Sequence, residues 1–184
     1  LAEPRPVNPA GQTMKKAVII LAAGVEDTEF AYPYYRLQEA GFTVDVATKG
    51  RKDTEGKWGL PIAATVDAET IRDSDYDLVV VPGGYESPDR VRQIKNVLAF
   101  IRAFDAAGKV ISSVCHGPWV LVSAGILRGR RATCYPGCAD DLINAGALYE
   151  AAPVVVDRNL VTSPHFRNNP EWLKATLETY DRLT

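Results

Sequence analysis

The order of apolar and polar residues divides the chain into short buried strands and amphipathic helices. Continuous apolar runs rich in Val, Ile and Leu predict strands that are buried on both faces. Such runs, or shorter alternating pieces, occupy residues 15–23, 42–48, 76–84, 109–114, 131–133, 152–157 and 159–163, with a small ribbon predicted over 56–66. Apolar residues at helical spacing predict helices over residues 28–41, 89–108, 117–127, 140–145 and 170–183.

Strands and helices alternate along most of this pattern. Such a chain folds as an α/β domain with a mostly parallel central sheet. In sheets of this kind, ligands bind beyond the carboxyl ends of the strands. The predicted turns after Ala23, Val81 and Val114 carry acidic residues, two glycines and a Cys-His pair, respectively. We therefore expect the reactive residue types to gather at one edge of the sheet, although they are far apart in sequence.

Composition and charge exclude several classes of protein. Of the 184 residues, 46% are hydrophobic and 24% are charged, which is sufficient for a core without disulfides or metal ions. The formal net charge of -2 argues against a protein that binds nucleic acids or membrane surfaces. No apolar run approaches the roughly 18 residues that would indicate a membrane span.

The amino-terminal segment and the cysteine count bound the organisation of the chain. Residues 1–13 (LAEPRPVNPAGQT) are rich in Pro, Gly and polar residues, so we interpret them as a flexible leader and residues 14–184 as a single domain. Three cysteines do not form a disulfide framework, and no signal-like segment is visible. Both observations favour a reduced, cytoplasmic location.

The stretch SSVCHGPW, residues 112–119, joins a predicted strand to a predicted helix within about two residues. This geometry is typical of a nucleophile elbow, in which the residue at the bend leaves the pleat, often with a strained backbone. Cys115 occupies the bend, and we expect an exposed thiol whose pKa is lowered by the start of the following helix. The alternative is that Cys115 is only a small buried side chain.

A second pair of cysteines, Cys134 and Cys138, has C-x-x-x-C spacing. A zinc site would need two more ligands, and the chain has only two histidines, His116 and His165, so we expect no metal. Nothing else in the sequence supports a reversible disulfide between them. The sequence contains neither a G-x-G-x-x-G motif nor a P-loop, and the PGG turn is too short to indicate phosphate binding. We therefore expect no cofactor.

Several motifs together resemble the ThiJ/PfpI family of cysteine-dependent α/β proteins, and most closely its PfpI-like branch of intracellular peptidases and deglycases. The matching pieces follow in order between Met14 and Thr162: EDTEFAYPYYRLQEAG, VVVPGG, SPDRVR, SVCHGP, LRGRRAT, YPG, DDLINAG and VVVD. The resemblance implies a flavodoxin-like three-layer sandwich with a mostly parallel central sheet. It also implies that Cys115 is the nucleophile at the elbow.

The same resemblance implies roles for three further side chains. Glu29 would approach the Cys115 thiol and polarise it, and a carboxyl group so close to a thiolate should stay partly protonated. His116 would act as general base or acid. Asp89 from a partner subunit would orient the imidazole and stabilise its charged form. Without the resemblance, Glu29 is an acidic residue in the first turn of a helix and Asp89 is a helix N-cap.

Pocket and loop residues complete the implied site. The backbone N–H groups of Gly84 and His116 would form an oxyanion hole beside Gly83, and Tyr135 would line the pocket. Alternatively, Tyr135 is a partly buried ring without a role in the site. After the VVVD motif, the text TSPHFRNNPEW departs from the family pattern. His165 in this segment is therefore a candidate for substrate choice, or part of an ordinary loop.

The resemblance leaves three functions open. In the first, the Cys115 thiolate adds to a small reactive carbonyl such as methylglyoxal or its early protein adducts, as a glyoxalase III or deglycase would. In the second, the Cys-His-Asp site acts as an intracellular peptidase or amidase. In the third, the protein is a non-catalytic redox sensor in the stress response. Because Asp89 would act in trans, we predict a homodimer or hexamer, with no nucleic-acid or membrane partner.

Overall fold

A computed structural model of the protein describes residues 14–184, and the predicted leader at residues 1–13 lies outside the described residues. The strands are β1 (Lys15–Ile20), β2 (Phe42–Thr48), β3 (Thr54–Glu55), β4 (Pro61–Ile62), β5 (Val66–Asp67), β6 (Leu78–Val81), β7 (Val110–Val114), β8 (Arg131–Ala132), β9 (Leu148–Tyr149), β10 (Val155–Asp157) and β11 (Leu160–Ser163). The α-helices are α1 (Asp27–Glu39), α2 (Glu86–Val91), α3 (Lys95–Ala106), α4 (Pro118–Ala124), α5 (Ala139–Asn144) and α6 (Asn169–Leu183).

Seven strands form one sheet in the order β10-β11-β7-β6-β1-β2-β5. All neighbouring strands are parallel except β10 and β11, which form an antiparallel hairpin at one edge. Every side chain of β6 and β7 is buried, because helices cover both faces of the sheet there. This explains why these strands are apolar without alternation. The predicted α/β sandwich with a mostly parallel sheet is confirmed.

The helices form a layer on each face of the sheet. α1 and α6 pack on one face, around a core that includes Phe30 and Trp172. α2 to α5 cover the other face, around a core that includes Phe100 and Leu121. Each large apolar side chain buried in this way contributes about 1.5–3 kcal/mol. The two layers hold the carboxyl ends of β1, β6 and β7 together at one edge of the sheet.

The prediction of one helix over residues 89–108 is wrong, because the structure has two helices, α2 and α3, separated by residues 92–94. Ile94 takes an extended conformation (φ -83°, ψ 104°) and buries its side chain. The Asn96 side chain donates to the carbonyls of Ala68 and Ile71, in the loop after β5, at 3.0 and 3.1 Å, which fixes the start of α3. The apolar spacing continues across the break, so periodicity alone does not reveal it.

Two short strand pairs lie outside the main sheet. β3 and β4 form an antiparallel hairpin, which confirms part of the ribbon predicted over residues 56–66, but β5 pairs with β2 instead. β8 pairs in parallel with β9, a strand that the sequence did not predict. Across residues 14–184, no helix has both the length and the apolar character that crossing a membrane requires.

Candidate active site

The chain turns sharply at Cys115, between the end of β7 and the start of α4 at Pro118. Cys115 has φ 60°, in the left-handed region that residues with a side chain rarely adopt. The Cys115 N–H donates to the Ser163 carbonyl at 2.9 Å, and the Tyr135 N–H donates to the Cys115 carbonyl at 2.9 Å. The predicted elbow is therefore present. The two hydrogen bonds to its backbone help to offset a strain of about 1–3 kcal/mol.

Two glycines permit the close packing around this elbow. A Cβ atom on Gly117 would collide with the Val81 carbonyl oxygen. A Cβ atom on Gly83 would lie 2.5 Å from Glu29 Oε2 and 2.6 Å from Cys115 Cβ. The turn after β6 can therefore bring its backbone against both the thiol and the carboxyl group only because it has no side chain at Gly83.

Cys115 lies in a cavity of about 360 Å³ and is only 8% exposed. The expectation of an exposed thiol is wrong, because the turn after β6 and the loop after β11 also contribute walls. The cavity is lined by Glu26, Glu29, Lys57, Gly84, Tyr85, Cys115, His116, Tyr135, His165 and Phe166. It brings together all the predicted site residues except Gly83 and Asp89. Gly83 lies directly behind the thiol.

Glu29 lies in the first turn of α1 and is fully buried. Its Oε2 accepts a hydrogen bond from the Gly83 N–H at 2.8 Å, whereas Oε1 has no hydrogen-bond partner among residues 14–184. Burial raises the pKa of the Glu29 carboxyl to about 8, assisted by the charge of Glu26 and opposed by the Gly83 N–H and the Cys115 thiol. Glu29 is therefore a neutral acid at neutral pH, beside the thiol.

Burial also raises the pKa of the Cys115 thiol, and the negative charge of Glu29 raises it further. The backbone N–H groups of Gly84 and His116 donate towards the sulfur and act in the opposite direction. The expected lowering of this pKa is wrong, because the two backbone N–H groups do not offset the removal of the thiol from water. Ionisation of either member of the Cys115–Glu29 pair disfavours ionisation of the other.

His116 contacts the thiol although it is the next residue in the chain. Its Nδ1 lies 3.2 Å from Cys115 Sγ, because the elbow breaks the alternation of a strand. The imidazole stacks on the Tyr135 ring, with 4.8 Å between centroids and 20° between planes. Trp119 meets it edge-on at 5.0 Å. The two aromatic rings fix the plane of the imidazole, so its nitrogens face defined partners.

Comparison with known protein families shows which family the chain belongs to. The model of the DJ-1/PfpI family matches residues 15–179, which is most of the chain. The chain belongs to the DJ-1/PfpI family.

Several known proteins are similar to this chain over most of their length. The chain is 41% identical over 148 residues to Deglycase PH1704 of Pyrococcus horikoshii, covering 80% of this chain and 89% of that one. It is 36% identical to the Putative cysteine protease YraA of Bacillus subtilis, covering 81% and 88%. Drosophila melanogaster DJ-1beta superimposes with a TM-score of 0.83 at 30% identity, covering 90% of each chain.

Asp89 is the one predicted DJ-1/PfpI site residue that the structure does not bring near the cavity. It is exposed on α2, where its N–H donates to the Tyr85 carbonyl and its own carbonyl accepts from Gln93. The alternative interpretation of Asp89 as an N-cap is wrong, because α2 begins three residues earlier at Glu86. Within one chain, the carboxylate of Asp89 therefore does not orient His116.

His165, the candidate residue for substrate choice, lines the cavity near its mouth. Its Nδ1 accepts a hydrogen bond from the Arg167 N–H at 3.2 Å, and its ring lies 4.1 Å from Phe166 and 6.2 Å from Tyr135. Burial and the charge of Arg167 lower the pKa of His165. The mouth thus presents a neutral imidazole beside aromatic rings.

Glu26 and Lys57 line the cavity, although the sequence did not single them out as site residues. Glu26 follows β1 at the edge of the sheet where the sequence predicts reactive residues. This position in the sequence could have indicated that Glu26 belongs to the site. Its buried Oε2 accepts a hydrogen bond from the Trp58 indole at 3.2 Å. Lys57 lies in the β3–β4 hairpin. Its backbone N–H donates to the Val25 carbonyl at 2.7 Å and so attaches the hairpin to the chain after β1. No sequence pattern indicates that this hairpin reaches the cavity.

Cys134 and Cys138 are buried free thiols on the core side of the site. The Cys134 and His116 side chains lower the pKa of the Cys138 thiol, and burial opposes them. Among residues 14–184, no group of His, Cys, Asp and Glu side chains has the arrangement of a metal site.

Proposed function

We propose that this DJ-1/PfpI protein is a cofactor-independent enzyme of the glyoxalase or deglycase type. Its substrates would be small reactive 2-oxoaldehydes, such as methylglyoxal, and the early adducts that they form with proteins. The observation that carries the proposal is the buried thiol of Cys115, 8% exposed in a cavity of about 360 Å³ beside Glu29 and His116. Relatives named deglycases, including Deglycase PH1704, support it.

The first step is activation of the nucleophile. His116 Nδ1, 3.2 Å from Cys115 Sγ, accepts the thiol proton and leaves a thiolate beside an imidazolium. Glu29, with its pKa raised to about 8, is still protonated at neutral pH and does not repel this thiolate. The neutral carboxyl group thus permits a charge on sulfur that a carboxylate at the same place would oppose.

The second step is addition to the carbonyl. The Cys115 sulfur forms a bond to the aldehyde carbon, and the electron pair of the C=O double bond moves to oxygen. The N–H groups of Gly84 and His116, which donate towards the sulfur in the free site, would bind the new oxyanion. The imidazolium of His116 then returns its proton to that oxygen, giving a neutral hemithioacetal.

The third step moves a proton and releases the product. Neutral His116 removes the proton from the carbon bonded to sulfur and returns it to the adjacent carbon through an enediol, which leaves a thioester. Water attacks the thioester, the C–S bond breaks, and the Cys115 thiol reforms. The balance is methylglyoxal plus water giving lactate. With a protein adduct, displacement of the amine by sulfur precedes the same sequence and frees the repaired side chain.

Asp89 has a role in this proposal only in an oligomer. Because it lies outside the cavity of its own chain, we infer that Asp89 from a second copy approaches His116 and stabilises the imidazolium, in a homodimer or hexamer. Three free thiols suit a reduced, cytoplasmic location. If light scattering found a fully active monomer, the role in trans would be refuted.

Peptide hydrolysis is the second candidate, and the similarity to the Putative cysteine protease YraA favours it. The same Cys115 and His116 would form an acyl-enzyme on an amide. The buried thiol and the small cavity argue against it, because a peptide needs an open groove on both sides of the attacked bond.

One experiment separates the candidates. The wild type and Cys115→Ser are incubated with methylglyoxal and, separately, with a fluorogenic peptide, and Cys134→Ser serves as the matched control at a buried cysteine outside the cavity lining. We expect lactate from the wild type and the control, and a loss of at least about 1,000-fold in Cys115→Ser. Peptide cleavage that depends on Cys115 would favour the peptidase. Neither activity, with ready peroxide oxidation of Cys115, would indicate a redox sensor.

A further inference from the structure

The β3–β4 hairpin is fastened to the edge of the catalytic cavity at several points. The Trp58 and Leu60 N–H groups each donate to the carboxylate of Asp27, the first residue of α1, at 2.9 Å. Between these anchors and β1, the Lys57 N–H donates to the Val25 carbonyl at 2.7 Å. Because the backbone on both sides of Lys57 is attached to the site, the hairpin forms a fixed wall of the cavity.

The Trp58 ring places the ammonium group of Lys57 beside the cavity. The Trp58 indole N–H donates at 3.2 Å to Oε2 of Glu26, which lines the cavity. Lys57 Nζ lies 5.1 Å from the centroid of the Trp58 ring, which is within the range of a cation–π contact. Lys57 also lines the cavity, although its side chain is exposed to solvent. The ammonium group is therefore held at the rim, next to the wall that Glu26 and Trp58 form.

The charges of the cavity leave this ammonium group without a counter-ion. Lys57 is the one lysine or arginine among the described residues that line the cavity, and it forms no salt bridge within residues 14–184. Glu29 is neutral at neutral pH, because its pKa is about 8. Both oxygens of Glu26 already accept hydrogen bonds, from the Trp58 indole and from the N–H and hydroxyl groups of Thr28. Lys57 is therefore the group that can bind an anion entering the cavity.

We propose that Lys57 is a specificity-determining residue that selects substrates bearing an anionic group. The substrate class is 2-oxoaldehydes with a carboxylate or phosphate group at the end away from the aldehyde. The aldehyde carbon lies at Cys115, and the anionic end reaches Lys57 at the rim. Neutral methylglyoxal lacks this end and uses only the part of the cavity around Cys115. The inference rests on the proposed function for the carbonyl chemistry, but the charge preference at Cys115 is measured without turnover.

The test compares two alkylating reagents of the same shape and different charge. Iodoacetate carries a carboxylate and iodoacetamide a neutral amide, and with either reagent the Cys115 sulfur forms a bond to carbon and iodide leaves. Both reactions use the same thiolate, so the ratio of their rates reports the charge preference of the cavity. We expect this ratio, measured by peptide mapping at pH 7 and low salt, to be about fivefold higher in the wild type than in Lys57→Gln, the effect of one exposed ion pair. Added sodium chloride should reduce the difference, because salt screens exposed charges.

Control variants separate the position of the charge from the total charge. Lys57→Arg keeps the positive charge and should keep the ratio of the wild type. Lys52→Gln removes an exposed lysine just before β3, outside the cavity lining, and should also leave the ratio unchanged. An unchanged ratio in Lys57→Gln overturns the proposal, as does an equal fall in Lys52→Gln. If Lys57→Gln does not fold, Lys57→Met replaces it and must show the same fall.

Steady-state kinetics then identify the anionic group. The three compounds are 2-oxopentanal, which is neutral, 4,5-dioxopentanoate, which has the same chain length and a carboxylate, and hydroxypyruvaldehyde phosphate. In Lys57→Gln, kcat/KM should fall about fivefold for at least one anionic compound, mainly through KM, and stay unchanged for 2-oxopentanal. The compound with the larger loss shows whether the site takes a carboxylate or a phosphate, and an equal loss for 2-oxopentanal overturns the proposal. If no compound is turned over while the alkylation ratio behaves as expected, only the proposed function is refuted.

Discussion

Two buried polar clusters lie at opposite ends of the same strands and are built in opposite ways. Before β7 and β11 begin, Arg130 is 4% exposed and lies 2.9 Å from Asp105 and 3.4 Å from Asp157. Its Nη2 group donates to Asn159 and to the Asp157 carbonyl, whereas Nε has no hydrogen-bond partner among residues 14–184. Where β7 ends, Glu29 is buried beside Cys115 and forms no salt bridge among the described residues.

The difference shows which end of the sheet carries chemistry. A paired ion such as Arg130 joins separate elements of the fold through its buried ion pairs. An unpaired carboxyl group in the same degree of burial becomes a neutral acid, and its thiol neighbour becomes hard to ionise. At the Cys115 end of the sheet, the positive φ of Cys115 adds backbone strain to the unpaired, buried carboxyl group of Glu29. At the Arg130 end, the carboxylates of Asp105 and Asp157 are paired instead.

The largest expected effect comes from removing the buried ion pairs of Arg130. Arg130→Met leaves Asp105 and Asp157 without their buried partner and should reduce the free energy of unfolding by about 3–5 kcal/mol. Chemical denaturation monitored by circular dichroism measures it. The activity of the remaining folded protein should be unchanged, because the cluster lies at the far end of the strands.

The neighbouring residue provides the control for this change. Arg131 is also paired, with Glu150, but its side chain is 53% exposed. Arg131→Met should cost less than about 1 kcal/mol, since exposed ion pairs contribute little. Equal losses in the two variants would show that burial does not distinguish the Arg130 cluster.

At Glu29 we expect the opposite of the Arg130 result, namely a loss of activity without a loss of stability. Glu29→Gln should lower lactate formation about 100-fold, because an amide stabilises the adjacent Cys115 thiolate less well than the O–H group of a protonated carboxyl does. Stability at pH 8 should stay the same or rise, because a costly buried carboxyl group is removed. Glu39→Gln, an exposed substitution in the same helix, is the matched control. A destabilised but fully active Glu29→Gln protein would contradict the proposed division between the two ends.

The stability of the wild type should respond to pH through the same group. The pKa of Glu29 is about 8 in the folded protein and near 4.5 when unfolded, so its contribution is full below pH 4.5 and is lost as the pH rises to 8. Relative to Glu29→Gln, the wild type should lose up to about 1.4 kcal/mol per pH unit in this window. A difference that stays constant from pH 5 to pH 8 would show that Glu29 ionises normally.

The sequence predicted the elements that depend on local pattern, but it did not predict the features of the site that depend on packing. Buried parallel strands show as apolar runs, and the elbow shows as a Cys-His-Gly-Pro text between a strand and a helix. The pKa of Cys115 was predicted in the wrong direction, because helix position can be read from sequence but the depth of burial cannot. Lys57 lines the cavity because the β3–β4 hairpin packs against Val25, which no periodicity encodes.

The smallest expected effect concerns the cavity mouth. His165 combines two roles, since its Nδ1 accepts the Arg167 N–H and its ring extends the aromatic wall. His165→Asn keeps a side-chain acceptor for that N–H but removes the ring, and should raise KM about threefold with kcat unchanged, the effect of one lost aromatic contact. Steady-state kinetics with methylglyoxal measure it, and His165→Ala reports the added loss of the loop hydrogen bond. A fall in kcat in His165→Asn would instead place the imidazole of His165 in the chemistry, beside His116.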